Sequence, residues 1–290
     1  MEPFILRLLD VLLKGFGVEE HPQTFIAMMG LIMARLVPAI NYTPFFGGGV
    51  VLGRTKIALS FALAFLLYPA MISAVPISQI PTSFLPFFLL LVKEAIIGFT
   101  IGYVTSVVFY GIQAAGQMVD NMRGASMAQL FAVEFSTQVT LLGKLKLQAA
   151  ITLFFLLDCH LMYIRGLFYS FERLPVNAYP SIGSAMAIGN QLSPIIEDLI
   201  RISSDVLLVS LQLAGPVLVC LFLSDVIFGI FNRVAPQVNV YFLSLPVKMM
   251  VGLGMLFLLW AAIVEQMEER FIVYLKELYT LVAKATPFGQ

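Results

Sequence analysis

Apolar residues gather into six long runs: Thr24–Thr43, Ile57–Val75, Phe84–Ile112, Leu147–Leu161, Val206–Ile230 and Val247–Val264. Each approaches the about 20 mostly apolar residues that a helix needs to cross a bilayer core. The pattern therefore predicts an all-α membrane protein. Five of the runs are interrupted. Arg35 and Pro38 break the first, Pro69 the second, Lys93 and Glu94 the third, Pro216 and Asp225 the fifth, while Asp158 and His160 stand at the end of the short fourth. An ionised group at the centre of a membrane helix costs about 2.5–3.5 kcal/mol on insertion scales, so these charges must face protein, a water-filled cavity or each other. Proline removes one backbone bond and clashes with the carbonyl four residues back. The runs read as bent helices within a protein assembly.

The flanks follow a helical period without the length to span. Phe4, Ile5, Leu8, Leu9, Leu12 and Phe16 recur at helical spacing, with Arg7, Asp10 and Lys14 on other faces. This predicts an amphipathic helix over residues 1–23, lying on a membrane or against protein. The start lacks the basic stretch of a cleavable signal peptide. After the last run, Val264, Met267, Phe271, Leu275, Leu278 and Val282 repeat every three or four residues. They predict a second amphipathic helix in a tail over residues 265–290. The core is then 24–264. Within it, Gln113–Lys146 is long, polar and rich in Gly, Ser, Gln and Met, and reads as a connection. Gly166–Ser204 carries the turn signals Leu174-Pro175-Val176-Asn177 and Tyr179-Pro180-Ser181, with a possible amphipathic helix over Ser193–Ser203. If all six runs span, Lys and Arg balance across the two sides, so loop charge assigns no orientation.

Composition sharpens this picture. Of the 290 residues 60% are hydrophobic and 12% charged, and the mean hydropathy is +0.94. A soluble domain carries about 25% charged residues, so water-soluble enzyme folds are nearly excluded. The 17 basic and 17 acidic residues cancel, which removes the electrostatic footprint of a nucleic-acid binder. Cys159 and Cys220 have no second Cys at metal-ligand or redox spacing. Asp158-Cys159-His160 invites a metal reading, but adjacent residues on a helix point about 100° apart, and a polar helix end is the simpler reading. Gly47-Gly48-Gly49 lacks the Lys and Ser/Thr of a phosphate-cradling loop. No catalytic or cofactor signature is present, and the chain reads as a non-enzyme without cofactors.

Gly98 and Gly102 lie one turn apart, a spacing that lets another helix approach closely. Lys93 and Glu94 are chain neighbours, which argues against their pairing with each other; each then needs a partner elsewhere, in a proton relay or in an ion pair between subunits. Asp120 and Arg123 are three apart and can pair if their segment is helical. Asp225 and Arg233 are about 12 Å apart along a helix, so each is expected to meet another subunit. Pro236 should end or bend its helix, with Gln237 and Asn239 satisfying the backbone groups freed there.

Three blocks together carry a resemblance. The first is Phe45-Phe46-Gly47 with Gly53-Arg54-Thr55-Lys56-Ile57-Ala58-Leu59-Ser60. The second runs from Lys93-Glu94 through Gly98 and Gly102 to Gln113-Ala114-Ala115-Gly116, Asp120 and Arg123-Gly124-Ala125-Ser126-Met127-Ala128. The third is Ser224-Asp225, Gly229, Asn232-Arg233-Val234-Ala235-Pro236-Gln237-Val238-Asn239-Val240 and Leu245-Pro246-Val247-Lys248. Over roughly Thr24 to Val264 the chain resembles the FliR/SctT family of type III secretion export-apparatus proteins, and its wording is closer to the injectisome (SctT) than to the flagellar (FliR) branch.

The resemblance implies kinked helical hairpins wound into a right-handed helical gate in the bacterial inner membrane. In it the chain would sit with FliP/SctR-like and FliQ/SctS-like subunits and an FlhB/SctU-like switch protein, itself behaving as a FliP-like half fused to a FliQ-like half. Unfolded substrates would pass through the centre. A loop of this subunit would help plug the closed pore, here Gln113 to about Gln138, with Gln113, Gly116, Met118, Asp120, Met122, Arg123, Gly124 and Met127 as plug or gate residues. Arg54, Lys56, Lys93, Glu94, Gly98, Gly102, Asp225, Arg233, Pro236, Gln237, Asn239 and Lys248 would serve subunit assembly, and membrane lipid would surround the whole. The alternative from a different class is a small-solute secondary transporter, with Lys93, Glu94, Asp158 and Asp225 as coupling sites.

Overall fold

A computed structural model of the chain describes residues 22–46, 52–74, 81, 83–124, 140–177 and 194–284. Among these residues the fold is all α, with no strand. The helices are α1 (Pro22–Tyr42), α2 (Gly53–Ala74), α3 (Phe84–Met122), α4 (Leu141–Leu156), α5 (Cys159–Arg173), α6 (Pro194–Val234), α7 (Val240–Leu258) and α8 (Trp260–Lys284), with a 3-10 turn at Pro44–Phe46. The amphipathic helix expected over 1–23 falls almost wholly outside the described residues. So do Gly47–Gly49, Met127 and the Tyr179-Pro180-Ser181 turn signal.

Among the described residues, five helices are long and apolar enough to cross a membrane, namely α1, α2, α3, α6 and α7, and the bent pair α4–α5 makes a sixth if counted as one span. The chain is a multi-pass membrane protein. Two spans outrun their sequence pattern. The third run continues ten residues further, giving α3 39 residues, and the fifth grows at both ends into the 41 residues of α6. At ~1.5 Å per residue these are about 58 and 62 Å long, against a hydrocarbon core of about 30 Å.

One sharp bend lies away from any proline. Pro38, Pro69, Pro216 and Pro246 all sit inside continuous helices. The sharp bend, 73° between α4 and α5, contains no proline. It forms where Asp158 takes a left-handed backbone, φ 54°, a conformation aspartate tolerates better than most residues. Leu157 N–H still donates to Leu153 O at 3.0 Å, and Leu161 N–H opens the next helix on Asp158 O at 3.0 Å. The Asp158-Cys159-His160 triplet is thus a helix end and a helix start.

The chain divides into two compact units. The first comprises residues 1–104, 163–197 and 278–290. Its core holds Met28, Leu31, Ile32, Leu36, Ala39 and Ile40 of α1. Phe25 meets Tyr68 edge-on at 4.7 Å, Tyr42 meets Phe99 at 4.5 Å, and Phe45 meets Tyr163 at 5.1 Å. The Tyr163 hydroxyl donates to Ala39 O at 2.9 Å. The glycine pair performs as its spacing predicts, against α1 of the same chain: a Cβ at Gly98 would overlap the Arg35 carbonyl, and one at Gly102 would lie 2.7 Å from Ala39 O. The second unit comprises residues 105–162 and 198–277. Its centre is the aromatic trio Phe109, Phe154 and Phe271, with ring centroids 5.1–5.2 Å apart.

The tail helix forms as its period predicts, starting at Trp260. Met267, Phe271, Leu275, Leu278 and Val282 are all buried, so its apolar stripe packs on protein. On its polar side Glu277 lies 3.4 Å from Arg201 of α6.

Gly98→Ala ought to raise helix propensity by about 1 kcal/mol. Overlap with the Arg35 backbone reverses the sign, and a net loss of about 1–3 kcal/mol is expected; thermal unfolding of the full chain in detergent checks it, and a stabilised variant would refute the close crossing. A second outcome concerns pH. Burial pushes the Glu277 carboxyl above its ordinary 4.5, Arg201 offsets part of this, and Asp205 and Asp198 add to the rise. The folded chain then holds the proton more tightly than the unfolded chain, so this contribution to stability is complete below about 4.5 and is lost as pH climbs through the raised value. Glu277→Gln should shrink the drop in melting midpoint between about pH 5 and about pH 7. Because Arg201 is largely exposed, losing its partner should itself cost little.

Candidate functional site

The end of α3 and the start of α4 meet at one carboxylate. Asp120, in the last turn of α3, is buried. Its Oδ1 accepts from Arg123 Nε at 2.9 Å and from Arg123 Nη2 at 2.5 Å. Its Oδ2 accepts from the backbone N–H of Leu142 at 2.8 Å. Leu142 is in the first turn of α4, where amides have no partner within the helix and the helix dipole favours negative charge. The preceding Thr140 makes no side-chain cap bond there, so Asp120 does the capping from another helix.

Small residues make the approach possible. A Cβ at Gly116 would stand 2.6 Å from both the N and the Cα of Gly143. Gly124, which ends the turn after α3, has φ +79°, which glycine adopts without a Cβ penalty. Gly252 of α7 packs against the Arg123 stem, where a Cβ would meet Arg123 Cδ at an ordinary contact distance of 3.6 Å. The end of α3 and the start of α4, which flank residues 125–139, are therefore tied at one point, a neck.

Of the residues assigned to a plug, the structure brings Gly116, Asp120, Arg123 and Gly124 into the neck. Gln113 and Met118 are half-buried and Met122 exposed along α3; Met127 is outside the described residues. The segment Gln113–Met122 is helix, so reading 113–138 as loop throughout is corrected: its first ten residues complete α3, and Leu141–Lys146 at the end of the expected connection begins α4. The Asp120–Arg123 pair forms as its spacing predicted.

The residues assigned to assembly divide differently. Lys93 and Glu94 do pair, Nζ to Oε1 at 2.5 Å, contrary to the argument from adjacency. Both stems are flexible enough to reach round the helix shoulder, and a third group fixes them there: Glu94 Oε2 accepts from Arg35 Nε at 2.5 Å. Arg35 also donates to Ser170 O at 2.7 Å, Ser170 Oγ at 3.1 Å and Leu174 O at 2.8 Å, and stacks 4.0 Å over Phe171. Lys93 Nζ donates to Pro175 O and Val176 O, both at 3.2 Å. Two cations and one carboxylate thus close the carbonyl end of α5, where the helix dipole offers negative charge. These partners lie within the chain, not in a sister subunit. Arg35 was visible as the charge in the first apolar run; its acceptors are carbonyls some 135 residues away, which no spacing announces.

Asp225 has an ion-pair partner in its own chain, Lys248. Helix α6 ends at Val234, two residues before Pro236, as proline predicts. Its freed backbone is satisfied by backbone, with Ala235 N–H on Phe231 O at 2.9 Å and Val238 N–H on Ala235 O at 3.2 Å. Asn239 stands at the cap of α7 without a side-chain cap bond. Gln237 and Asn239 line, with Asp225, Pro236 and Lys248, an open cleft of about 680 Å³. Arg233 and Arg54 are exposed. Lys56 is buried and donates to Asn41 O at 3.3 Å.

The family described as bacterial export proteins, family 1, matches residues 26–272 of the chain. Yop proteins translocation protein T of Yersinia pestis is 34% identical over 204 residues, 69% of this chain and 72% of the relative. Flagellar biosynthetic protein FliR of Bacillus subtilis is 26% identical over 257 residues, 87% and 93% of the two chains. Secretion system apparatus protein SsaT of Salmonella typhimurium is 30% identical over 198 residues, 67% and 72%.

Asp120→Asn leaves an acceptor for Leu142 N–H and strips Arg123 of its counter-charge. Breaking a buried pair in this way should cost about 3 kcal/mol. Thermal unfolding of the purified full chain reads it, and a midpoint equal to that of the unaltered protein would show that the neck is not held by this pair.

Proposed function

The chain belongs to the bacterial export proteins, family 1, and from that membership we propose that it is a non-enzymatic subunit of a type III secretion export gate in the bacterial inner membrane. There it forms part of the channel for unfolded proteins and contributes the segment that plugs it. The observation that carries the plug assignment is the neck: Arg123 and Leu142, on either side of the stretch 125–139, are both tied to Asp120, a tie that suits the base of a plug. FliP/SctR-like and FliQ/SctS-like subunits and an FlhB/SctU-like switch protein are the partners this reading requires. The extensive exposed apolar surface of α6 and α7, from Val219 and Phe222 to Phe257 and Leu258, fits a chain surrounded by other subunits and lipid.

An injectisome is favoured over a flagellum. The relatives named for Yop translocation and for a secretion system apparatus are 34% and 30% identical, against 26% for FliR of Bacillus subtilis. Coupled small-solute transport draws no support from the charges it would need. Lys93, Glu94 and Asp225 are all held in ion pairs, and Asp158 serves a helix break.

Replacing residues 125–138 with a short Gly-Ser linker, leaving Asp120 and Leu142 in place, should make the assembled gate leak ions while the complex still forms. Membrane conductance of cells expressing the gate subunits checks this. A barrier as tight as before, with the complex intact, would remove the plug assignment.

A further inference from the structure

The neck holds a second buried cation that the contacts above do not use. Lys146 lies one turn along α4 from Leu142 and exposes no surface. Among the described residues its ammonium has no hydrogen-bond acceptor. Residues four apart share a helix face, and side chains lean toward the helix N-terminus. The Lys146 stem is therefore expected to lean toward the turn whose Leu142 amide Asp120 holds. Among the described residues, Asp120 is the carboxylate whose charge bears on Lys146. A buried ammonium without an acceptor is strongly unfavourable, and an apolar side chain of similar volume would fill the site without that penalty.

Asp120 is thus bonded to one buried cation, Arg123, and its charge bears on a second, Lys146. The two differ in how firmly they are rooted. Lys146 has helix on both sides, ten residues before the end of α4. Arg123 follows the last residue of α3, in a turn that closes on Gly124, so its hold on Asp120 depends on that turn staying in place. A displaced turn would leave Asp120 without its cation while Lys146, one turn along α4 from Leu142, stays rooted.

We propose that Asp120, Arg123 and Lys146 form an exchangeable ion pair, in which Arg123 holds the carboxylate while the turn at 123–124 is seated and Lys146 takes it when the turn moves. The exchange lets the turn come free while α3 and α4 stay joined through the Asp120–Leu142 bond. It deepens the plug reading, on which its purpose rests. Its chemistry is a property of the neck and is tested separately from leak.

The test is a double-mutant cycle on the full-length chain in mild detergent, read as melting midpoints. Lys146→Met alone should leave the midpoint unchanged or raise it. Arg123→Gln alone should lower it modestly, because Lys146 takes over. The double variant should fall by roughly 3–10 °C more than the two single shifts together. In an Asp120→Asn background, where no carboxylate remains to exchange, Lys146→Met should raise the midpoint. If Arg123→Gln does not fold, Arg123→Lys, which keeps the charge but loses the two-point grip, should show coupling of the same sign. Additive shifts would overturn the exchange. So would a Lys146→Met loss as large in the unaltered chain as beside Arg123→Gln, because Lys146 would then already hold an acceptor at rest. A gate that stays tight after replacement of 125–138 would count against the plug and leave the cycle's result standing.

Discussion

An ion in surroundings this apolar persists only where opposite charge and oriented carbonyls meet it together, and the placing of helices in the first unit follows from that requirement at Arg35. Its guanidinium is fully buried, and it spends its donors on Glu94, Ser170 and Leu174. That arrangement fixes α1 against α3 and brings the end of α5 to both. The glycine at position 98 then becomes obligatory, because the Arg35 backbone lies where a Cβ would sit. Lys93 completes the set by binding the carbonyls of Pro175 and Val176. A turn that reads in the sequence as a mere Pro-Asn punctuation is therefore an acceptor for buried charge.

The second unit applies the same rule on a smaller scale. Asp120 satisfies Arg123 and the first turn of α4 with two oxygens, and glycine again permits the approach, this time at Gly116 and Gly143. Asp225 with Lys248 repeats the pairing at the base of the α6–α7 hairpin. In each case a charge that would oppose membrane insertion by itself ties two segments distant along the chain.

Much of this was legible in the sequence and some was not, for identifiable reasons. Apolar runs gave the spans because length and hydropathy are local properties. The stripe from Met267 to Val282, the Gly98/Gly102 spacing and the Asp120–Arg123 spacing also read correctly, since each depends on helical period alone. The ends of α3 and α6 did not. Gln113 to Met122 is polar enough to resemble a loop, and it stays helical because Ala115, Gly116, Val119 and Asp120 bury against protein instead of lipid. Lys93, assigned to subunit assembly, turned inward because its acceptors, the carbonyls of Pro175 and Val176, carry no side-chain signature. The bend at Asp158 went unassigned to backbone because proline, not a left-handed aspartate, is the sequence mark of a kink.

The lengths of α3 and α6 bear on the lipid around them. Neither can be accommodated by tilt, since about 58 Å in a 30 Å film requires an inclination well beyond the roughly 40° that membrane helices reach. Helices cut to the width of the bilayer are sensitive to acyl-chain length, because each ångström of mismatch strains the surrounding lipid. Helices that overrun it have no single depth to match. A thicker or thinner membrane would move the waterline along them without calling for a different helix length.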